Sequence, residues 1–129
     1  MKKLLILTTL IFSVMFSSAS YAEWTKIGVR EGNTAYVDFE TIRKDDGYVY
    51  FWRLSDLLLP SPWGDMSLKS YLQSDCKLFR FKVLRDSSHK EPMGRGIGKT
   101  NNKPDKYWKY GPPESFGRVL LKAVCNHVK

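Results

Sequence analysis

The stretch "PPESFGRVLLKAVCNHV", residues 112–128, changes the hydrophobic period of this 129-residue chain from that of strands to that of a helix. Apolar residues at i, i+3, i+4, i+7 and i+8 form one stripe: Phe116, Val119, Leu120, Ala123 and Val124. Pro112 and Pro113 suit the first helical turn, whereas Gly117 costs about 1 kcal/mol relative to alanine. The sequence therefore predicts one C-terminal helix, with Cys125 at its end.

The clearest strand upstream of this helix is "YVYFWRLSDL", which starts at Tyr48. One of its faces carries Tyr48, Tyr50, Trp52 and Leu54. Because Val49 and Phe51 make the other face apolar as well, we expect this strand to lie in the centre of a sheet.

Other strands are predicted on both sides of this one. A hairpin turn is expected at Gly32-Asn33, and "RKDDG" at residues 43–47 is typical of a second turn. Between residues 67 and 85 the apolar register switches near Leu78, which indicates a bulge, a bend or a break between two strands. The prolines of "LLLPSPWGDM" exclude a strand there and predict a loop with Trp63 exposed.

Residues 1–22 have the pattern of a secretory signal peptide. Two lysines precede an apolar run, and small residues occupy the −3 and −1 positions of a cut after Ala22. A membrane anchor is the alternative, but the apolar run is short for a bilayer span. We expect residues 23–129 to form a single domain, exported to the periplasm or the cell surface, with no lipidation cysteine in the prefix.

The mature protein is expected to be basic. Removing residues 1–22 leaves 107 residues and lowers the net charge from +8 to +6, because two lysines are lost. Such a charge favours acidic partners, namely a protein or an acidic envelope or matrix component. We also expect peripheral contact with anionic membrane surfaces, whereas export argues against nucleic acid as a partner.

The chain has two cysteines, Cys76 and Cys125. An even count in an exported chain indicates a disulfide, and a closed loop of about 50 residues would stabilise the fold by up to roughly 4 kcal/mol. A metal site is the alternative, but the sequence contains neither CxxC nor HxxxH. We expect a disulfide that joins the helix to the middle of the sheet, and no metal or cofactor.

The glycine-rich stretch "MGRGIGKT", residues 93–100, is similar to a phosphate-binding loop but out of register. That motif needs Gly-x-x-x-x-Gly-Lys-Ser/Thr, and Met93 occupies the place of the first glycine. Because Pro104 follows closely, no helix is expected here to direct its N-terminus at a phosphate. We predict a solvent-exposed loop that binds no nucleotide.

No catalytic set is evident in the sequence. "PESFG" departs from the nucleophile elbow Gly-x-Ser-x-Gly at Pro113, so Ser115 is expected to cap the helix or face solvent. The histidines are His89, expected in a loop, and His127 near the C-terminus. Three acids follow or end strands singly and are expected on turns or the surface: Asp38, Asp56 and Asp75. We therefore predict that the protein is not an enzyme.

A candidate binding surface lies in "GKTNNKPDKYWKYG", residues 98–111, where lysines are interspersed with aromatic residues. The candidate binding residues are Lys99, Lys103, Lys106, Tyr107, Trp108 and Lys109. Cations beside aromatic rings can bind sugars, acidic peptides or headgroups. The alternative is that the aromatic side chains pack partly into the core while the lysines keep the chain soluble.

The order of these segments is similar to that of a known family. The shared features are Trp24, Tyr-Val-Asp at 36–38, Trp-x-Leu-x-Asp at 52–56, Cys76 with Arg80, the glycines of 94–98, and Pro-Pro-x-Ser…Cys at 112–125. Over nearly all of its mature length the chain resembles the surface-adhesin protein E-like domain of Gram-negative bacteria.

The resemblance implies an α+β fold, in which a C-terminal α-helix is tethered to an antiparallel β-sheet by one disulfide. It also implies adhesion, because the known relatives are adhesins for host macromolecules. We therefore expect a non-enzymatic exported binding domain for host or envelope macromolecules. The alternative is a small periplasmic inhibitor or accessory subunit of an envelope enzyme or complex.

Overall fold

The computed structural model describes residues 23–129, so the predicted signal peptide lies outside the described residues. One antiparallel sheet contains six strands in the order of the sequence. The strands are β1 (Thr25–Arg30), β2 (Asn33–Asp45), β3 (Tyr48–Asp56), β4 (Ser67–Asp75), β5 (Arg80–His89) and β6 (Gly98–Asn101). Helix α1 (Phe116–His127) follows them, which confirms the predicted α+β fold and the central position of β3.

Helix α1 begins at the predicted cap. The Ser115 hydroxyl accepts a hydrogen bond of 3.2 Å from the backbone N–H of Arg118. Pro112 and Pro113 lie before the helix and not in its first turn, because the Pro112 carbonyl closes the preceding turn by accepting from Ser115 N–H. Between residues 23 and 129, no helix is long and apolar enough to cross a bilayer.

The core lies between α1 and one face of the sheet, which we call the helix face. The sheet contributes Val37, Phe51, Leu72 and Phe81, and the helix contributes Leu120, Leu121, Val124 and Cys125. The predicted stripe on α1 therefore missed two of these four residues, Leu121 and Cys125. Gly117 has a packing role here, because a Cβ at this position would lie only 2.9 Å from Cε1 of the Phe81 ring.

The predicted disulfide is confirmed. Cys76, in the turn after β4, is bonded to Cys125 near the end of α1, and their Cα atoms are 5.7 Å apart. The bond therefore tethers the end of the helix to the β4–β5 turn, where the apolar register of the sequence switches.

Two details of the turns differ from the prediction. The first hairpin turns at Glu31-Gly32, one residue before the predicted dipeptide, because both residues adopt positive φ angles, 53° and 82°. The second turns at Asp46-Gly47 in the same way, with φ angles of 50° and 83°, so β2 continues to Asp45. His89 ends β5 and is buried, whereas we had expected it in a loop.

The glycine stretch 93–100 is only partly the exposed loop that was predicted. It begins in a 3₁₀ turn, Pro92–Gly94, which packs against β3 and β4, and it ends in β6. Residues 95–100 are solvent-exposed, as expected. The strand was missed because all four residues of β6 are exposed, so that backbone pairing with β5 forms it without any apolar alternation.

Candidate binding face of the sheet

The face of the sheet opposite α1 carries a set of half-exposed aromatic rings. Alternation along β3 places Tyr48, Tyr50 and Trp52 on this face, because Val49 and Phe51 are buried on the helix face. In the β3–β4 register, Trp52 lies opposite Tyr71. We define the open face by nine residues: Tyr48, Tyr50, Trp52, Tyr71, Trp108, Arg43, Arg80, Lys82 and Arg85.

The aromatic rings of the open face contact one another in pairs. The ring centroids of Trp52 and Tyr71 are 4.9 Å apart, and those of Tyr50 and Tyr71 are 6.2 Å apart. Trp108 comes from the segment that follows β6, and its ring stacks on Tyr48 at 5.7 Å. These distances are typical of favourable aromatic pairs.

Each part of this aromatic row carries a cation. The guanidinium of Arg85 lies 5.1 Å from the Trp52 centroid and 5.3 Å from that of Tyr71. Arg43 lies 5.0 Å from the Tyr50 centroid. At the other end, Arg80 and Lys82 lie 4.4 and 4.8 Å from the centroid of Trp108. All of these distances fall within the range of cation–π attraction.

Three of the four cations on the open face have no acidic partner in residues 23–129. The ion pairs of this part of the chain are Arg80–Asp75, Lys90–Asp65 and Lys109–Asp105. Arg43, Lys82 and Arg85 therefore have no carboxylate within 4.0 Å. The open face presents positive charge that the described residues leave available for a ligand.

Arg80 differs from the other cations of the open face because it forms an ion pair with a residue of β4. Its Nε lies 3.0 Å from Oδ2 of Asp75. Burial raises the pKa of the Asp75 carboxyl, but hydrogen bonds from the Leu78 and Lys77 N–H groups, together with Arg80, outweigh burial and hold that pKa below its ordinary value. Asp75 therefore stays ionised and fixes Arg80 beneath Trp108.

A groove of about 510 Å³ lies at the β6 edge of the sheet. Its walls carry two apolar side chains with large exposed fractions, Trp63 at 78% and Ile97 at 85%. Lys99 and Asn101 of β6 line the same groove. As predicted, Trp63 is exposed in its proline-containing loop.

The chain matches a known protein family over nearly all of its described residues. Residues 24–126 match the family model described as surface-adhesin protein E. The chain belongs to the surface-adhesin protein E family. This confirms the resemblance inferred from the order of the segments, and no curated protein sequence matches the chain.

Solved structures of protein E from Haemophilus influenzae share the fold. Crystal form II is 20% identical, covers 88% of this chain and 100% of its own, and has a TM-score of 0.60. A second structure of the H. influenzae protein is also 20% identical, covers 84% and 87%, and has a TM-score of 0.62. A structure from non-typeable H. influenzae is 18% identical, covers 85% and 79%, and has a TM-score of 0.56.

In this adhesin E-family domain, the six candidate residues chosen from the sequence do not form one cluster. Lys99 lines the groove at the β6 edge, whereas Trp108 joins the open face. Lys109 pairs with Asp105 at 3.1 Å. The other three are exposed and outside both features: Lys103, Lys106 and Tyr107.

Sequence reasoning missed most of the open face. Tyr48, Tyr50 and Trp52 were placed together on one face of β3, but their cations come from β2 and β5. The alternation of Arg80 and Lys82 around the buried Phe81 was the available signal, because it places both cations on the face away from the core.

The adhesin E-family domain also contains a hydroxyl–imidazole pair that the sequence did not reveal. Ser87 Oγ lies 2.7 Å from Nε2 of His89, and Nδ1 of His89 lies 3.3 Å from the Gly96 carbonyl. Because a carbonyl only accepts, Nδ1 of His89 is the donor in its contact with Gly96. His89 is 9% exposed, and the contact of its Nδ1 with the Gly96 carbonyl joins the glycine stretch to β5.

Proposed function

We propose that this chain is a non-enzymatic exported domain that binds host or envelope macromolecules through its open face. The observation that carries the proposal is Arg85, an exposed cation held over Trp52 and Tyr71 without an acidic partner in residues 23–129. Arginine and aromatic residues are enriched at protein interfaces. Positive charge also steers acidic macromolecules toward a surface.

Membership of the surface-adhesin protein E family supports the same conclusion. An adhesin acts by binding, and a broad charged surface is suited to that role. The partner proposed here is a protein or an acidic component of the envelope or the extracellular matrix. The other predicted residues, Lys99, Lys103, Lys106, Tyr107 and Lys109, remain candidates for secondary contacts outside the open face.

A coated-surface assay tests the proposal. Mature protein starting at Glu23 is applied to an extracellular-matrix extract and to an envelope extract. The variant Arg43→Ala/Arg85→Ala should bind less to one of them. The control Lys77→Ala/Lys122→Ala loses the same charge but alters residues beside the disulfide. Equal binding by both variants would contradict a role for the open face.

Location separates this proposal from the alternative of a periplasmic inhibitor or accessory subunit. Antibody labelling of intact cells is expected for a surface adhesin, whereas release by osmotic shock would favour the periplasm. Intact-mass measurement of the exported protein should give a start at Glu23, because the small residues before it suit signal peptidase.

The groove at the β6 edge favours the alternative function. Trp63 and Ile97 expose apolar surface that a protein partner could cover. If the chain is an accessory subunit, Trp63→Ala should release an envelope partner that Arg43→Ala/Arg85→Ala retains. Co-purification of the three forms from an envelope extract distinguishes these outcomes.

A further inference from the structure

We infer that the open face binds an acidic polysaccharide, a chain of sugar rings that carries sulfate or carboxylate groups at regular intervals. The inference rests on the proposed function and deepens it by naming the class of macromolecule. It is carried by the repetition, the orientation and the charge of the side chains on this face.

Along β3, the open face repeats the same arrangement, an aromatic ring with a cation beside it, at every second residue. Tyr48, Tyr50 and Trp52 are spaced two residues apart, so their Cα atoms follow one another at about 6.7 Å on one side of the strand. Each has a cation on its own ring or on the ring stacked with it: Arg80 and Lys82 on Trp108 beside Tyr48, Arg43 on Tyr50, and Arg85 on Trp52. A row of rings, each with a cation, matches a polymer in which rings and anions alternate.

The stacked guanidinium groups are oriented before a ligand arrives. Arg43 and Arg85 are exposed, and each lies over an aromatic ring that restricts its rotation. A planar guanidinium presents paired N–H donors to the two oxygens of a carboxylate or a sulfate. Because less side-chain freedom is lost on binding, such a donor binds an anion more strongly than a mobile lysine does.

The position of the open face argues for a glycan over an acidic peptide. Extended peptides commonly add to the free edge of a sheet, and peptide side chains need pockets. β3 and β4 are paired on both sides, so their backbone groups are already used. What remains is a surface of half-exposed rings and cations, against which the apolar faces and the anions of a sugar polymer can pack.

The charge on this surface is complementary to a polyanion. Four cations belong to the open face. The neighbouring acids include Asp75, already paired with Arg80, Asp45, which lies opposite Tyr48, and Asp38, which is buried opposite Trp52. A polyanion would bring anions to Arg43, Lys82 and Arg85 without displacing an ion pair in residues 23–129.

The test measures binding of the mature protein to four polymers: heparin as the sulfated glycan, polygalacturonate as the carboxylated glycan, neutral dextran, and poly-glutamate as the acidic peptide. We expect binding to heparin, to polygalacturonate, or to both, that weakens as salt is raised. Arg43→Ala/Arg85→Ala should weaken it about tenfold or more, and Lys77→Ala/Lys122→Ala by less than about twofold. Arg85→Lys, which retains the charge without the planar fork, should also bind more weakly than wild type.

The outcomes separate this inference from the function on which it rests. Poly-glutamate binding as tightly as the charged glycans, or equal losses in the two double variants, would overturn the inference. A matrix extract digested with polysaccharide lyases gives the second arm. If the wild type still binds the digested extract and Arg43→Ala/Arg85→Ala does not, the proposed function stands without the glycan. If the wild type binds none of the polymers and neither form of the extract, both fail.

Discussion

Removal of the disulfide should cost this domain a large part of its stability. Cys76 and Cys125 are 49 residues apart in the sequence, and the chain-entropy relation for a loop of about 50 residues gives about 4 kcal/mol at 25 °C. Small domains have total stabilities of only about 5–15 kcal/mol. We therefore expect Cys76→Ala/Cys125→Ala to fold weakly, with a free energy of unfolding lowered by about 2–5 kcal/mol.

Urea denaturation of three samples measures this effect: the oxidised wild type, the wild type reduced with a thiol, and the double alanine variant. The reduced wild type and the variant should unfold at similar urea concentrations, because both lack the cross-link. Their dependence on urea should be steeper than that of the oxidised protein, since an unfolded chain without the loop exposes more surface.

The reasoning would be refuted by a loss below about 1 kcal/mol with unchanged urea dependence, because the entropic model then fails for this loop. In that case the packing of Leu120, Leu121 and Val124 alone would hold α1 against the sheet. A free thiol titre of two in the denatured, unreduced wild type would likewise show that the bond does not form in the exported protein.

Three further predictions concern single residues. Gly117→Ala should destabilise the fold, since overpacking against Phe81 at about 1–3 kcal/mol opposes a gain in helix propensity of about 1 kcal/mol; thermal unfolding measures the balance. The pKa of Asp75 is lower in the folded protein than its ordinary value of 3.8, so its carboxylate stabilises the fold fully at pH values above 3.8. This stabilisation is lost as the pH falls through the folded pKa. Asp75→Asn should thus be less stable than wild type at pH 7, with a smaller difference at pH 2. Lys99→Ala should change stability by less than about 0.5 kcal/mol, and calorimetry with Mg-ATP should show no binding to either form.

The sequence predicted the elements whose side chains have a single clear period. β3 alternates between the buried Val49 and Phe51 and the half-exposed rings of the open face, and α1 has one apolar stripe because it covers only one face of the sheet. The disulfide followed from the count of two cysteines. These features follow from a local hydrophobic period or from the cysteine count, so the strand register was not needed to predict them.

The open face could not be derived in the same way because its pairs depend on register. Arg85 meets Trp52 and Tyr71 only because β4 pairs with both β3 and β5, and β5 has an irregularity opposite Tyr71 and Leu72. Trp108 reaches Tyr48 after the chain has passed β6 and returned along β5, where Lys109 pairs with Phe81. β6 itself was missed because its exposed residues have no alternation to detect.

The two faces of the sheet have different roles: the helix face stabilises the fold, and the open face is proposed to bind a ligand. The helix face holds the buried side chains and lies beside the disulfide, so substitutions there act on folding. Arg43 and Arg85 lie on the other face, exposed, and exposed cation–π contacts contribute only about 0.5–1 kcal/mol each. Removing both should therefore leave a folded protein with a charge deficit confined to the open face. A loss of binding in that variant can be assigned to the surface, because the core that supports it is unchanged.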